Sequence, residues 1–125
     1  MYLFDTDILV DYLRLHQPAL RLLESIPKKD RKVAFISRFE LLKGCIRKSQ
    51  ANKIGSFLKH FSVLPLGIPI SQEALRIYHE KKWHAHIDIP DAFIAATALS
   101  HKLILITRNI KHYRGIPLLK IEKPY

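Results

Sequence analysis

Apolar and polar positions along this chain fall into short blocks whose period keeps changing. Tyr2-Leu3-Phe4 is a continuous apolar run that stops at Asp5, the pattern of a buried strand. After Asp5-Thr6-Asp7, the residues Ile8, Leu9, Tyr12 and Leu13 recur at helical spacing. Pro18 to Ile26 repeats that spacing and gives way to the polar turn Lys28-Lys29-Asp30-Arg31-Lys32. Val33-Ala34-Phe35-Ile36 predicts a second buried strand. Ser37 then predicts a helix start, because Ser37-Arg38-Phe39-Glu40 has the order of a capping box; that helix runs to about Lys48. Gln50 to Phe61 is a basic amphipathic helix. Val63-Leu64-Pro65-Leu66 reads as an edge strand, since Pro65 has no N–H for a ladder. Ser71 to about Trp83 is a further helix, with Ala74, Leu75, Ile77 and Tyr78 inward.

The pattern changes character over residues 87–99, Ile-Asp-Ile-Pro-Asp-Ala-Phe-Ile-Ala-Ala-Thr-Ala-Leu, where almost no polar face remains. A helix of that kind belongs in the interior. Pro90 suits a first helical turn, where its missing N–H costs nothing. Asp88 stands at the N-cap position, and Asp91 falls in the first turn, where the helix dipole favours negative charge. Capping accounts well for one carboxylate and less well for two. Leu103-Ile104-Leu105-Ile106 is the clearest buried strand and ends at Thr107-Arg108-Asn109, before a short tail with Pro117-Leu118-Leu119. Strands and helices alternate throughout. That order predicts a single α/β domain over residues 1–125, a mainly parallel sheet flanked by helices on both faces.

Composition adds three constraints. The 125 residues, 48% hydrophobic, suffice for one core. A lone cysteine, Cys45, excludes an internal disulfide framework and a Cys-rich zinc site, and points to a reducing, cytoplasmic setting. No run is long or apolar enough for a signal peptide or a membrane span. The net charge of +10 favours nucleic acid or another polyanion as partner.

Against that basic background, the placement of the acids is informative. Asp5 follows the first strand, Glu40 lies in the first turn of the helix after the second, and Asp91 opens the apolar helix. Asn109 comes just past the last strong strand. In a parallel sheet all four belong beyond the carboxyl ends of strands, where open α/β sheets bind ligands. Only 11 carboxylates oppose 21 Lys and Arg. To gather several of them at one mouth raises their pKa values through mutual repulsion unless a cation sits among them. Mg²⁺ or Mn²⁺ suits such a set: a hard, oxygen-seeking ion that keeps waters, activates one of them and neutralises charge on a phosphodiester.

The same residues carry a family resemblance. Leu3-Phe4-Asp5-Thr6-Asp7-Ile8-Leu9-Val10 resembles the opening motif of PIN-domain ribonucleases, and Glu40-Leu41-Leu42-Lys43-Gly44 is similar to their second. Asp91-Ala92-Phe93-Ile94-Ala95-Ala96-Thr97-Ala98 resembles their third, and Thr107-Arg108-Asn109 followed by Lys111-His112-Tyr113 their fourth. Order and spacing match over nearly the whole chain. The length is similar to that of the compact toxins of type II toxin–antitoxin systems, the VapC group. The resemblance implies a PIN-like fold and an endoribonuclease dependent on Mg²⁺ or Mn²⁺ that hydrolyses RNA with a metal-activated water. It also implies inhibition by a small cognate antitoxin, and a homodimer. It assigns metal ligation to Asp5 and Asp91, with Glu40 as the third core acid. Some PIN nucleases have aspartate at the fourth position; Asn109 here orients water or an outer ligand without adding charge.

Each of these residues also has a plainer reading. Asp5 and Glu40 are both placed to cap helices. Asp7 is a first-turn helix acid or a group behind the ligands, and Thr6 is expected to hydrogen-bond Asp5 or the backbone. Asp88 is the better cap, which leaves Asp91 the freer ligand. Asp11 is solvated or paired with a base. Arg38 and Arg108, flanking Glu40 and Asn109, hold backbone phosphates or only meet solvent. His84-Ala85-His86 reads as a loop rather than a zinc site, and Cys45 as a packed thiol. Two other functions fit part of the pattern. Phe4-Asp5-Thr6-Asp7 resembles the start of a haloacid-dehalogenase-type phosphatase, with Asp5 as nucleophile, but that family also needs a separate Lys and a later acid pair. A non-catalytic RNA- or partner-binding domain accounts for the charge and not for the acids.

Overall fold

In a computed structural model, which describes residues 1–125, the blocks become five strands and seven α-helices. The strands are β1 (Tyr2–Phe4), β2 (Arg31–Ala34), β3 (Ser62–Leu64), β4 (Ile104–Ile106) and β5 (Ile121–Glu122). The helices are α1 (Thr6–Leu13), α2 (Gln17–Ser25), α3 (Phe35–Lys43), α4 (Lys48–Leu58), α5 (Ile68–Lys81), α6 (Ile89–His101) and α7 (Ile110–Tyr113), with a short 3₁₀ turn at Lys28–Asp30. All five strands are parallel, in the order β3-β2-β1-β4-β5. The chain builds the sheet outward from β1 to β3, then crosses back to lay β4 on the other side of β1. Strand order therefore reverses between β1 and β4, the point at which open α/β sheets form a crevice.

Side-chain alternation divides the core between the two faces. Leu3, Ala34 and Leu105 point to one face, where they pack with Ala74 and Ile77 of α5 and with Ala92, Ala95 and Ala96 of α6. Phe4, Val33 and Ile106 point to the other, against Ile8, Leu9, Leu23, Leu41 and Leu58 of α1 to α4. Seven residues of α6 are buried, and Ala92, Ala95, Ala96 and Ala98 keep its backbone close to the sheet. Its interior position, expected from the missing polar face, is what carries Asp91 to the sheet's edge.

Several local expectations needed correction. The second strand lies two residues earlier than its apolar run, taking in Arg31 and Lys32 from the expected turn: Phe35 already begins α3, so Ser37 lies inside the helix rather than at its cap. Ala34 precedes the helix without a side-chain cap, and the expected Ser37–Glu40 capping box does not form. Helix α5 begins at Ile68, since Pro69 is well suited to a first turn. The tail yields a strand that the pattern did not announce, β5, added in parallel at the edge beside β4. No helix is long and apolar enough to cross a membrane.

Helix α6 ends on Lys102, held at φ 54° and ψ 47° in the left-handed region. A Cβ there meets the following carbonyl oxygen, a strain that glycine avoids. Lys102→Gly should therefore raise the unfolding free energy by about 0.5–1 kcal/mol in urea titrations, net of glycine's larger backbone entropy in the unfolded chain.

Candidate active site

The carboxyl ends of β1 and β4 lie side by side, and the acids meet there. Asp5 follows β1 directly, and its N–H donates to the Ile106 carbonyl at 2.9 Å, extending the ladder by one residue. Its side chain caps α1, with Oδ1 accepting from the Thr6 N–H at 2.7 Å. Oδ2 accepts from Thr107 Oγ1 at 2.7 Å and lies 3.0 Å from the Tyr113 hydroxyl. That hydroxyl also lies 3.2 Å from Asp91 Oδ1. Asp5 and Asp91 are 5% and 8% exposed, so both carboxyl groups are essentially interior.

Helix α6 holds Asp91 through a reciprocal capping box. Asp88 Oδ1 accepts from the Asp91 N–H while Asp91 Oδ2 accepts from the Asp88 N–H, each at 3.2 Å. Asp88 is thus the cap, as expected, but Asp91 is not free of capping duty. His112 Nδ1 is 3.3 Å from Asp91 Oδ2. On the other side of Asp5, the Thr6 hydroxyl donates to Glu40 Oε1 at 2.6 Å, and Ser37 Oγ lies 2.9 Å from the same hydroxyl. The partner expected for Thr6 was Asp5 or the backbone; its side chain instead ties α1 to α3. Asp7 Oδ2 accepts from the Arg108 N–H at 2.9 Å, whereas Asp7 Oδ1 is buried with no partner.

Asp5, Thr6, Asp7, Glu40, Asp88, Asp91, Arg108 and Asn109 all line one open cleft of about 320 Å³. Arg38 does not reach it. Its guanidinium lies 5.6 Å from the centre of the Phe35 ring, over the groove between α3 and α4. Arg108 reaches the cleft already paired, Nε to Asp11 Oδ2 at 2.7 Å, and Asp11 also accepts from the Tyr125 hydroxyl at 2.8 Å. Asn109 stands before α7 without capping it, its N–H donating to Thr107 Oγ1 at 3.0 Å. Four groups at the site carried no role in the sequence reading: Tyr113, Thr107, His112 and Arg14, the last a cleft-lining residue of the turn after α1. Tyr113 and His112 lie in the tail of the fourth motif, where spacing alone does not say which side chain turns inward.

Burial sets the electrostatics. It pushes Asp5 above the usual carboxylate range, against the hydrogen bonds from Thr107, Tyr113 and Thr6. Burial, with Asp88 and Asp5 nearby, raises Asp91 to about 8. Asp7 rises to about 6 through burial and the Asp5 charge, and burial also raises Glu40. Oxygen-only donors, raised pKa values and an orphaned buried carboxylate oxygen suit a hard divalent cation. As the side chains stand, no three of them converge tightly enough to enclose one.

A family model described as the PIN domain matches residues 2–115. The chain belongs to the PIN domain family. Over 132 aligned positions this PIN domain is 32% identical to a protein of Mycobacterium tuberculosis named Ribonuclease VapC19, with both chains covered in full. Its fold matches a chain of a toxin–antitoxin complex from Klebsiella pneumoniae with a TM-score of 0.84 and 32% identity, covering 100% of this chain and 98% of that one. A chain of the VapBC-1 structure from nontypeable Haemophilus influenzae matches with a TM-score of 0.78 and 27% identity, over 98% and 96% of the two chains.

The raised carboxylates fix how this PIN domain should respond to pH. Relative to the unfolded chain, the folded, metal-free chain holds an extra proton on Asp91 between about pH 4 and pH 8, and one on Asp7 between about pH 4 and pH 6. Stability then falls as pH rises. The melting temperature of metal-free protein should drop from pH 5 to pH 8.5, and Asp91→Asn should flatten the upper part of that drop.

Proposed function

We propose that this PIN domain is a Mg²⁺- or Mn²⁺-dependent endoribonuclease acting as the toxin of a toxin–antitoxin pair. The observation that carries the reading is the meeting of buried Asp5 and Asp91 at one phenol, with Glu40 and Asp7 beside them. This happens in a chain of net charge +10. A pure RNA binder gains nothing from acids concentrated where the polyanion docks. A nuclease needs them. The relative named as a ribonuclease and the toxin–antitoxin neighbours support the same reading. They also support RNA as substrate and a cognate antitoxin as partner.

In this reading Asp5, Asp91 and Glu40 hold the cation, with Asp7 and Asn109 at its margin. When bound, the ion activates a water and offsets the charge that develops on the phosphodiester. The chain's own residues do the positioning. Thr107 and the Thr6 N–H orient Asp5, the Thr6 hydroxyl orients Glu40, and the Asp88 N–H orients Asp91. Asn109 stands where a neutral amide can direct a water. Arg14 lines both the cleft and a groove that continues past Glu40 to Lys53, which gives two cations along a path for backbone phosphates. The phosphatase alternative lacks its lysine, because no Lys lines the cleft.

Purified protein should cut RNA with Mg²⁺ or Mn²⁺ and stop with EDTA, and Asp5→Asn should lower the rate more than about a hundredfold while the fold persists. Undiminished cutting in EDTA would sink the metal mechanism. Asn109→Asp adds a carboxylate at the cation's margin, so it should tighten Mn²⁺ binding in calorimetric titration and lower the melting temperature of the metal-free protein. Both effects come from the same added carboxylate.

A further inference from the structure

Tyr113 heads the fully buried side chains in size, yet it carries a hydroxyl into the interior. Its ring belongs to the core cluster that contains Ile94 and Leu105, on the α6 side of the sheet. A buried phenol needs a hydrogen-bond partner. This one has two, and they are Asp5 Oδ2 at 3.0 Å and Asp91 Oδ1 at 3.2 Å. Tyr113 is absent from the cleft lining, although both carboxylates and its neighbour His112 are there. The hydroxyl therefore approaches the pair from the core, behind the surface that a ligand meets. It leaves Asp5 Oδ1 with a single backbone donor, Thr6, and leaves Asp91 Oδ2 to Asp88 and His112.

We infer that Tyr113 is a positioning residue that sets the spacing of Asp5 and Asp91 for the metal. The inference rests on the metal-dependent reading above. Asp5 comes from the end of β1 and Asp91 from the start of α6, and no direct hydrogen bond joins them. A phenolic hydrogen serves one carboxylate at a time, and both oxygens lie within its reach, so the hydroxyl can donate to either in turn and keeps both carboxylates facing the same point. Thr107 holds Asp5 alone and the capping box holds Asp91 alone. Tyr113 is the side chain that hydrogen-bonds both. Groups behind metal ligands commonly matter to affinity in this way, because they fix the orientation from which the ligand oxygens act.

Tyr113→Phe keeps the ring and removes the tether. Calorimetric titration of the metal-free protein with Mn²⁺ should show binding weakened by about 10- to 100-fold. The KM for an RNA oligonucleotide should stay unchanged, since the hydroxyl lies behind the cleft. Ile94→Val, a packing change in the same cluster, should leave Mn²⁺ affinity as in the wild type. Should the Phe variant be partly unfolded without metal, its unfolding free energy from urea titration is subtracted from the apparent Mn²⁺ affinity before the comparison, because the metal then also refolds the chain. Unaltered Mn²⁺ affinity overturns the inference, because the hydroxyl then only satisfies itself. Tighter binding overturns it too, since the phenol then competes for the carboxylates. A wild-type protein that binds no Mn²⁺ removes the metal-dependent reading and this inference together, whereas a variant that binds like wild type removes the inference alone.

Discussion

The pairing of β1 with β4 is the contact on which the rest of the molecule depends. Tyr2, Leu3 and Phe4 stand opposite Ile104, Leu105 and Ile106, although the two strands are separated by almost the entire chain. This register places Asp5 next to Thr107 and brings the residue after each strand to the same edge. A slip of one residue would exchange the faces of Leu3 and Phe4 and undo both halves of the core. It would also carry Asp5 away from the hydroxyl that holds Oδ2. The alternation of side chains that packs the sheet and the convergence that forms the cleft are therefore two results of one alignment.

What the alignment assembles is costly by itself. Four carboxyl groups are drawn partly or wholly out of water, and burial is the largest influence on every one of them. The chain has 21 Lys and Arg, yet the nearest of these does little to relieve them. Arg108 gives its guanidinium to Asp11 and only its backbone N–H to Asp7. Neutral hydroxyls and amides take the place of counter-charges: Thr6, Thr107, Tyr113 and the first turn of α6. Such donors orient a carboxylate without cancelling its charge. Asp5, Asp7, Glu40 and Asp91 thus have no ion pair with Lys or Arg in the midst of a basic protein, which leaves them to draw in a cation.

Much of this was legible in the residues. Asp5 and Asn109 could be assigned to one end of a parallel sheet because each follows a strand, and Asp91 because it opens the interior helix, whereas Glu40 reaches the cleft from the second turn of α3 and not the first turn expected. The interior place of α6 followed from its missing polar face. The failures have a common cause. Ser37 has the spacing of a cap, but strand β2 ends early and the serine turns its hydroxyl toward Thr6, a contact across elements that no local pattern encodes. Arg38 lies two residues before Glu40 and faces another groove, because positions two apart on a helix point about 200° apart. Tyr113 stood in the sequence only as the last residue of the fourth motif, with no role attached. Its importance lies in an oxygen that meets two residues from opposite ends of the fold. Strand β5 is two residues long and gains its identity only from the edge it joins.

The excursion from Asp88 to Asn109 deserves a kinetic reading. It leaves the cleft down α6, turns at Lys102, and returns up β4 to Thr107, so both ends of one continuous stretch deliver supports to the same carboxylates. Between those ends the middle of α6 and the end of β4 are interior, while the turn at Ser100 to Lys102 is exposed. A fluctuation that opens this stretch would strip Asp91 and Thr107 from the cleft in a single event, and the barrier to it is that of breaching the core. Where the stretch opens as one cooperative unit, the backbone amides of Asp91 and Thr107 exchange with solvent together. The precision of the site persists for as long as that unit stays closed.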